Sequence, residues 1–215
     1  MSPSAKEVEA ARKLSPAEEK RLAKFEAMAA AMEAEGYVRK ELIVGIVAAN
    51  VVAIAVAIPL FALFIWLFYL ANDGFSFSIG YGSFLLFLVV LLVLVVVHEL
   101  LHGATWAIFA PRHFKDIEFG FMVKYLTPYC TCTVPLGRGQ YIAGALAPLV
   151  VLGVIPTVVG ILIGSFETLI MGLIMIVSAM GDIMIVVKML RYKSDAAEVV
   201  YCDHPTQAGM VVFER

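Results

Sequence analysis

The chain has 215 residues, 61% of them hydrophobic, a mean hydropathy of +0.90 and a formal net charge of −2. That apolar fraction lies far above the roughly 45–50% of an ordinary soluble domain, which excludes a purely water-soluble globule and makes the lipid bilayer the first expected partner. The balanced charge gives nucleic-acid binding no support, and Cys130, Cys132 and Cys202 form neither a disulfide framework nor a zinc-ribbon spacing.

Sixteen of the thirty-four charged residues fall in the first 41 positions, which separates a cytoplasmic helical segment, residues 1–40, from the remainder. Ser15-Pro16-Ala17-Glu18 has the capping-box pattern with proline at the first helical position. Leu22, Phe25, Met28, Ala29 and Met32 then recur at helical spacing up to Gly36. This predicts an amphipathic helix whose mixed charges favour a solvated helix packed on the domain over a membrane-surface helix. The N-terminus lacks the basic, apolar and small-residue succession of a removable signal peptide, so the first span is expected to direct insertion.

Four apolar stretches follow, about 42–71, 83–110, 141–164 and 166–190, each long enough to cross a hydrocarbon core of about 30 Å. They define a transmembrane domain over 41–193, followed by a cytoplasmic tail, 194–215. Arg39 and Lys40 precede the first span. Arg112, Lys115, Lys124 and Arg138 occupy the loop 111–140, and Lys188, Arg191 and Lys193 follow the last span, whereas the loop 72–82 has no Lys or Arg. Positive-inside counting places both termini and the 111–140 loop in the cytoplasm, with the plasma membrane of a prokaryote as the expected location.

Within that loop Ile117, Phe119, Phe121, Val123 and Tyr125 alternate with more polar or smaller residues, which is strand periodicity. Leu126-Thr127-Pro128 looks like a turn, and Tyr129–Val134 is a second strand candidate. The expected fold class is therefore an all-α membrane protein: four transmembrane helices, a small cytoplasmic β-hairpin between helices 2 and 3, and the N-terminal amphipathic helix. The hairpin edge is a candidate acceptor for an extended peptide or a simple cap on the helices. In the third span, Pro148 and Pro156 with Gly144, Gly153 and Gly160 are expected to bend the helix or permit close packing, or are ordinary membrane-helix composition.

The second span carries His98-Glu99-Leu100-Leu101-His102. On a helix the two histidines share a face and can hold one zinc ion, with Glu99 beside a bound water as acid and base. A scrambled chain of this composition contains on the order of 0.003 such matches, and ionisable groups inside a span are costly enough to imply function. The bland alternative is two core histidines bonded to neighbouring helices.

A catalytic zinc takes three protein ligands and one open position. His102 and His98 lie about 12 and 18 Å from the cytoplasmic end of their span, and Asp182 lies about 12 Å from the end of the fourth, which makes Asp182 the third candidate. Gly181 beside it is expected to let the helices approach closely. His204 is the most plausible substitute; His113, Asp116, Glu118, Glu167, Asp195 and Asp203 are weaker. Ser178, one turn before Asp182, bonds either the site or its own helix.

The combination of His98–Gly103 (HELLHG), the TVPLGRGQY segment at 133–141, Gly144–Pro148 and Gly181-Asp182 resembles the putative zincin peptidase family, which is similar to the site-2 proteases. The resemblance covers roughly residues 80–212, including Asp203-His204-Pro205 and Gly209. It implies His98, His102 and Asp182 as zinc ligands and Glu99 as catalytic acid/base. The chain reads Ser178-Ala179-Met180-Gly181-Asp182 where many site-2 proteases have Asn-Pro-x-Asp-Gly, so the resemblance carries over neither the helix break nor the substrate-holding asparagine of that segment.

The function expected is Zn2+-dependent intramembrane hydrolysis of peptide bonds in membrane-protein or peptide substrates. A non-enzymatic membrane protein with a structural or regulatory metal site is the main alternative. An ion transporter is a third, although no internal repeat of the kind transporters carry is visible.

Overall fold

The structure, a computed structural model, describes residues 14–72, 81–122 and 127–215. Val123 to Leu126, read above as a strand end and the start of a turn, lie outside the described residues, as does most of the 72–82 loop. Helix α1, Pro16–Ala34, begins at the Ser15 cap, where the Glu18 amide donates to the Ser15 hydroxyl and the Ser15 amide donates back to the Glu18 carboxylate. This reciprocal bond satisfies two otherwise orphaned donors.

Strand β1, Val38–Ile43, leads into α2, Ile46–Ala71, and α3 runs without interruption over Tyr81–Phe109. Strands β2, Ile117–Met122, and β3, Thr127–Cys132, pair antiparallel from Ile117 opposite Cys132 to Met122 opposite Thr127. Thr127 and Pro128 thus belong to a strand, where the sequence suggested a turn. A two-residue strand β4, Leu136–Gly137, precedes α4, Arg138–Pro148; a π-helical turn, Leu149–Val154, joins it to α5, Ile155–Ile163. Then come α6, Phe166–Ser178, α7, Met180–Arg191, and strands β5, Val199–Asp203, and β6, Gly209–Glu214.

The last two strands overturn the all-α expectation. β1, β6, β5 and β4 form one four-stranded antiparallel sheet in that order, so the protein is mixed α/β, with this sheet and the two-stranded one beside the helices. The sheet is covered on both faces. Tyr201, Met210 and Val212 face the helical bundle, in one cluster with Trp106, Tyr141 and Met189. Cys202, Val211 and Phe213 point the other way, against Phe25, Met28 and Ala29 of α1. Successive strand residues alternate faces, and burial of both faces makes β6 a continuous apolar run rather than an alternating one.

Three helices, Val47–Ala71, Tyr81–Phe109 and Arg138–Ile163, are long and apolar enough to cross a membrane. The fourth stretch is two helices, α6 and α7, meeting at 46°. The third and fourth stretches touch through glycines. A Cβ at Gly153 would lie 2.7 Å from Ile176, and one at Gly160 would lie 2.5 Å from the Leu169 backbone. Such contacts let backbones meet where hydrophobicity alone supplies no attraction between helices in lipid.

Candidate metal centre and its cavity

One uninterrupted helix positions three of the groups. His98 and His102, one turn apart on α3, are both buried, with ring centroids 4.8 Å apart. Their shared face meets the break between α6 and α7. Ala179, fully buried, closes α6 and opens α7, which sets Asp182 in the first turn of α7. There the positive end of the helix dipole favours a carboxylate. The break forms without proline, and the Ser178 hydroxyl donates to the carbonyl of Met175 in its own helix.

Asp182 Oδ2 lies 3.2 Å from His98 Nε2 and 3.6 Å from His102 Nε2. Two ligand atoms bonded at about 2.1 Å to one tetrahedral ion are separated by about 3.4 Å, so these spacings fit a divalent ion between them. The tautomer of His102 points the same way. Its Nδ1 lies 2.8 Å from the carbonyl of Gly144 and must donate there, so a neutral ring turns its Nε2 lone pair toward the carboxylate oxygen, a contact that either a proton or a metal ion satisfies. A histidine fixed through its distal nitrogen is the usual support of a metal ligand. Among the described residues no fourth His, Cys, Asp or Glu joins this group.

The site is braced from outside. Trp106 stacks on His102 with centroids 5.3 Å apart and planes 16° from parallel. Its indole N–H donates to the Tyr141 carbonyl at 3.2 Å. A side chain at Gly144 would occupy the indole's position, so this glycine supplies both a carbonyl for His102 and the space for the ring above it. Tyr141 donates its hydroxyl to Asp203 Oδ1 at 2.5 Å, and Asp203 Oδ2 accepts the Cys132 amide at 3.1 Å. Burial raises the Asp203 carboxyl above its ordinary range despite these donors.

Sequence reasoning missed Gly144, Trp106, Tyr141 and Asp203 as supports. Only Asp203 carried a signal, a carboxylate directly after Val199-Val200-Tyr201-Cys202. Gly181 does not act as expected: a Cβ there would meet nothing within 4 Å, so it mediates no close helix contact.

The three donors and Glu99 line a cavity of about 300 Å³ that extends past Pro128–Thr131 to the β5–β6 loop and to Arg21 of α1. Glu99 is half-buried, and the Cys130 backbone reaches it from β3. Burial pushes the Cys130 thiol up, and that of Cys132 up to about 11, so neither is a thiolate at neutral pH.

The remaining candidates are engaged elsewhere. His204 lines the cavity, but its Nδ1 accepts the amides of Thr206 and Gln207 at 3.2 and 3.0 Å. His113 bonds the Ala107 carbonyl, Asp116 holds Arg112, and Glu118 pairs with Lys24. Glu167 sits beside Ser165 at the start of α6, and Asp195 is exposed.

Residues 91–197 match the family described as "Putative zincin peptidase", a stretch that contains both histidines, Glu99 and Asp182. Neither the curated proteins nor the solved structures gave a match to the chain.

Proposed function

From the premise that the chain belongs, over residues 91–197, to the putative zincin peptidase family, we propose that it is a zinc-dependent peptidase working within or at the edge of a membrane. Its ligands are His98, His102 and Asp182, its acid/base is Glu99, and its substrates are membrane-associated polypeptides. The observation that carries this reading is the convergence of three donors, with no fourth among the described residues, on a cavity that also contains Glu99. A structural zinc site is closed by four protein ligands, whereas three leave the position that hydrolysis requires.

A divalent ion held there would supply Lewis acidity to a peptide carbonyl and acidify a water molecule. Glu99 takes the proton from the attacking water and returns it to the departing amide nitrogen, so the carboxylate ends the cycle as it began. Gly144 and Trp106 keep the His102 ring fixed during this exchange. A transmembrane substrate has to unwind locally, because an intact helix hides its carbonyls behind backbone hydrogen bonds, and β3 beside Glu99 offers backbone to an unwound segment. Both termini, the hairpin and the sheet are assigned to the cytoplasm by the charge pattern, which makes that side the route for water.

The test uses purified full-length protein in lipid nanodiscs, with metal content and peptide cleavage measured together. The native chain is expected to hold about one zinc and to cleave. Glu99→Gln should keep the zinc and lose activity by about 10² to 10⁴. His98→Ala and Asp182→Ala should lose the metal. A Glu99→Gln protein that cleaves at the native rate would end this reading.

A further inference from the structure

Among the described residues lining the metal cavity, one lysine or arginine is present: Arg21, from the second turn of α1. Its place there is well constructed. The guanidinium lies 4.3 Å from the centroid of the Tyr129 ring on β3, and its Nε–H donates to the carbonyl of Pro205. The Pro205 loop is itself tied, because the His204 amide donates to Gly209 and the His204 ring accepts from Thr206 and Gln207. Gly209, at φ +145°, fits against the Leu42 carbonyl where a Cβ would not.

These contacts use one face of the guanidinium and its Nε. Among the described residues nothing bonds the two Nη groups, the fork whose geometry matches a carboxylate. The acids of the cavity do not neutralise it: Asp182 faces the histidines, and Asp203 accepts from Tyr141 and Cys132. With a divalent ion held by Asp182 and the histidines, the other acids on the wall are Glu99 and Asp203. Arg21 is the described side chain of the wall that offers an anionic group of an incoming peptide a fork of N–H donors.

We propose that Arg21 is a binding subsite for a peptide carboxylate, which fixes an acidic position of the substrate at the α1 end of the cavity, away from the metal group. That the ligand is a peptide rests on the peptidase reading; that it is a carboxylate rests on Arg21 and its surroundings. The carboxylate has two sources, an Asp or Glu side chain or a free carboxyl terminus. The competing role is purely structural, a bolt between α1 and the β5–β6 loop.

The experiment measures binding separately from cleavage. Full-length Glu99→Gln protein in nanodiscs of zwitterionic lipid is titrated with end-blocked peptides that bear an uncharged fluorophore and differ at one position, Asp, Asn or Lys; a fourth, neutral peptide has a free carboxyl terminus. Anisotropy is expected to show the Asp peptide about tenfold tighter than the Asn peptide, with Lys weakest. Adding Arg21→Glu should invert the order of Asp and Lys. Arg21→Lys should keep the order at a smaller ratio, since charge survives without the fork.

Equal affinities for Asp and Asn, or no binding at all, would overturn the subsite. So would an Arg21→Glu protein in which every peptide weakens by the same factor, the mark of a bolt. A free terminus that binds like Asp, or like Asn, upholds the subsite and assigns the source. Native protein that binds with this preference but cuts nothing removes the peptidase reading and leaves the subsite standing.

Discussion

At Gly144 two requirements meet in one residue. Its carbonyl accepts the hydrogen bond of the His102 Nδ1–H, and its missing side chain admits Trp106 against the same imidazole. Gly144→Ala forces a buried indole to move, and overpacking of that kind costs about 1–3 kcal/mol. Thermal unfolding should register this, and zinc affinity should fall about 10–100-fold because the His102 support is disturbed. Gly181→Ala is the control. Its added methyl enters open space in a helix, so stability is expected to hold or rise by up to about 1 kcal/mol. Asp203→Ala strips the Tyr141 hydroxyl and the Cys132 amide of their acceptor, with an expected loss of about 1–3 kcal/mol for a buried donor. The histidines and Asp182 were readable from the chain because helical spacing and depth are local quantities. The supports were not, because a glycine that faces a tryptophan 38 positions earlier looks like any glycine in a span.

At the scale of elements, the four-stranded sheet shows where local patterns stop informing. β6 pairs with β1 across most of the chain, Val38 opposite Glu214 and Ile43 opposite Gly209. Nothing within either segment announces the other. Burial on both faces also removes the alternation that identified β2, so Met210–Phe213 reads as a short apolar run that periodicity cannot assign. The broken span was obscure for a different reason: the chain bends at the buried Ala179 without the proline that would have marked it. The end of β6 makes its own prediction. Glu214 accepts the hydroxyls of Tyr192 and Ser194, each at 2.6 Å, and pairs with Lys40. These donors lower its carboxyl to about 2. A lowered carboxylate stabilises the fold above its unfolded value, about 4.3, and that contribution fades as pH falls toward 2. Native protein should therefore melt higher than Glu214→Gln at pH 6, with the gap closing between pH 4.3 and 2. A gap that is constant over this range would separate Glu214 from acid lability.

For the whole molecule, the sheet constrains how the chain crosses the bilayer. β1 precedes α2, β4 precedes α4, and β5 follows α7, yet all three lie in one sheet with β6. Strands of one sheet occupy one side of a membrane. The number of crossings between β1 and β4 must then be even, which α2 and α3 satisfy if both span, and the number between β4 and β5 must be even as well. If the helix Arg138–Ile163, long and apolar enough to span, supplies one crossing of the second pair, the bent α6–α7 pair has to supply the return. Such a return would carry Asp182 from the far side to the depth of the histidines, so this topology needs the broken span to behave as a full one. Cysteines placed singly at Ser165 and at Ser194 test this with a membrane-impermeant maleimide on sealed vesicles. The native thiols are expected to react slowly, since burial raises the pKa of Cys130, Cys132 and Cys202. Ser165→Cys and Ser194→Cys are expected to label from opposite faces, and Ser194→Cys to share its face with a cysteine at Glu26 of α1, because α1 lies on the sheet. Labelling of positions 165 and 194 from the same face would remove the fourth crossing, and with it the geometry that brings Asp182 to His98 and His102.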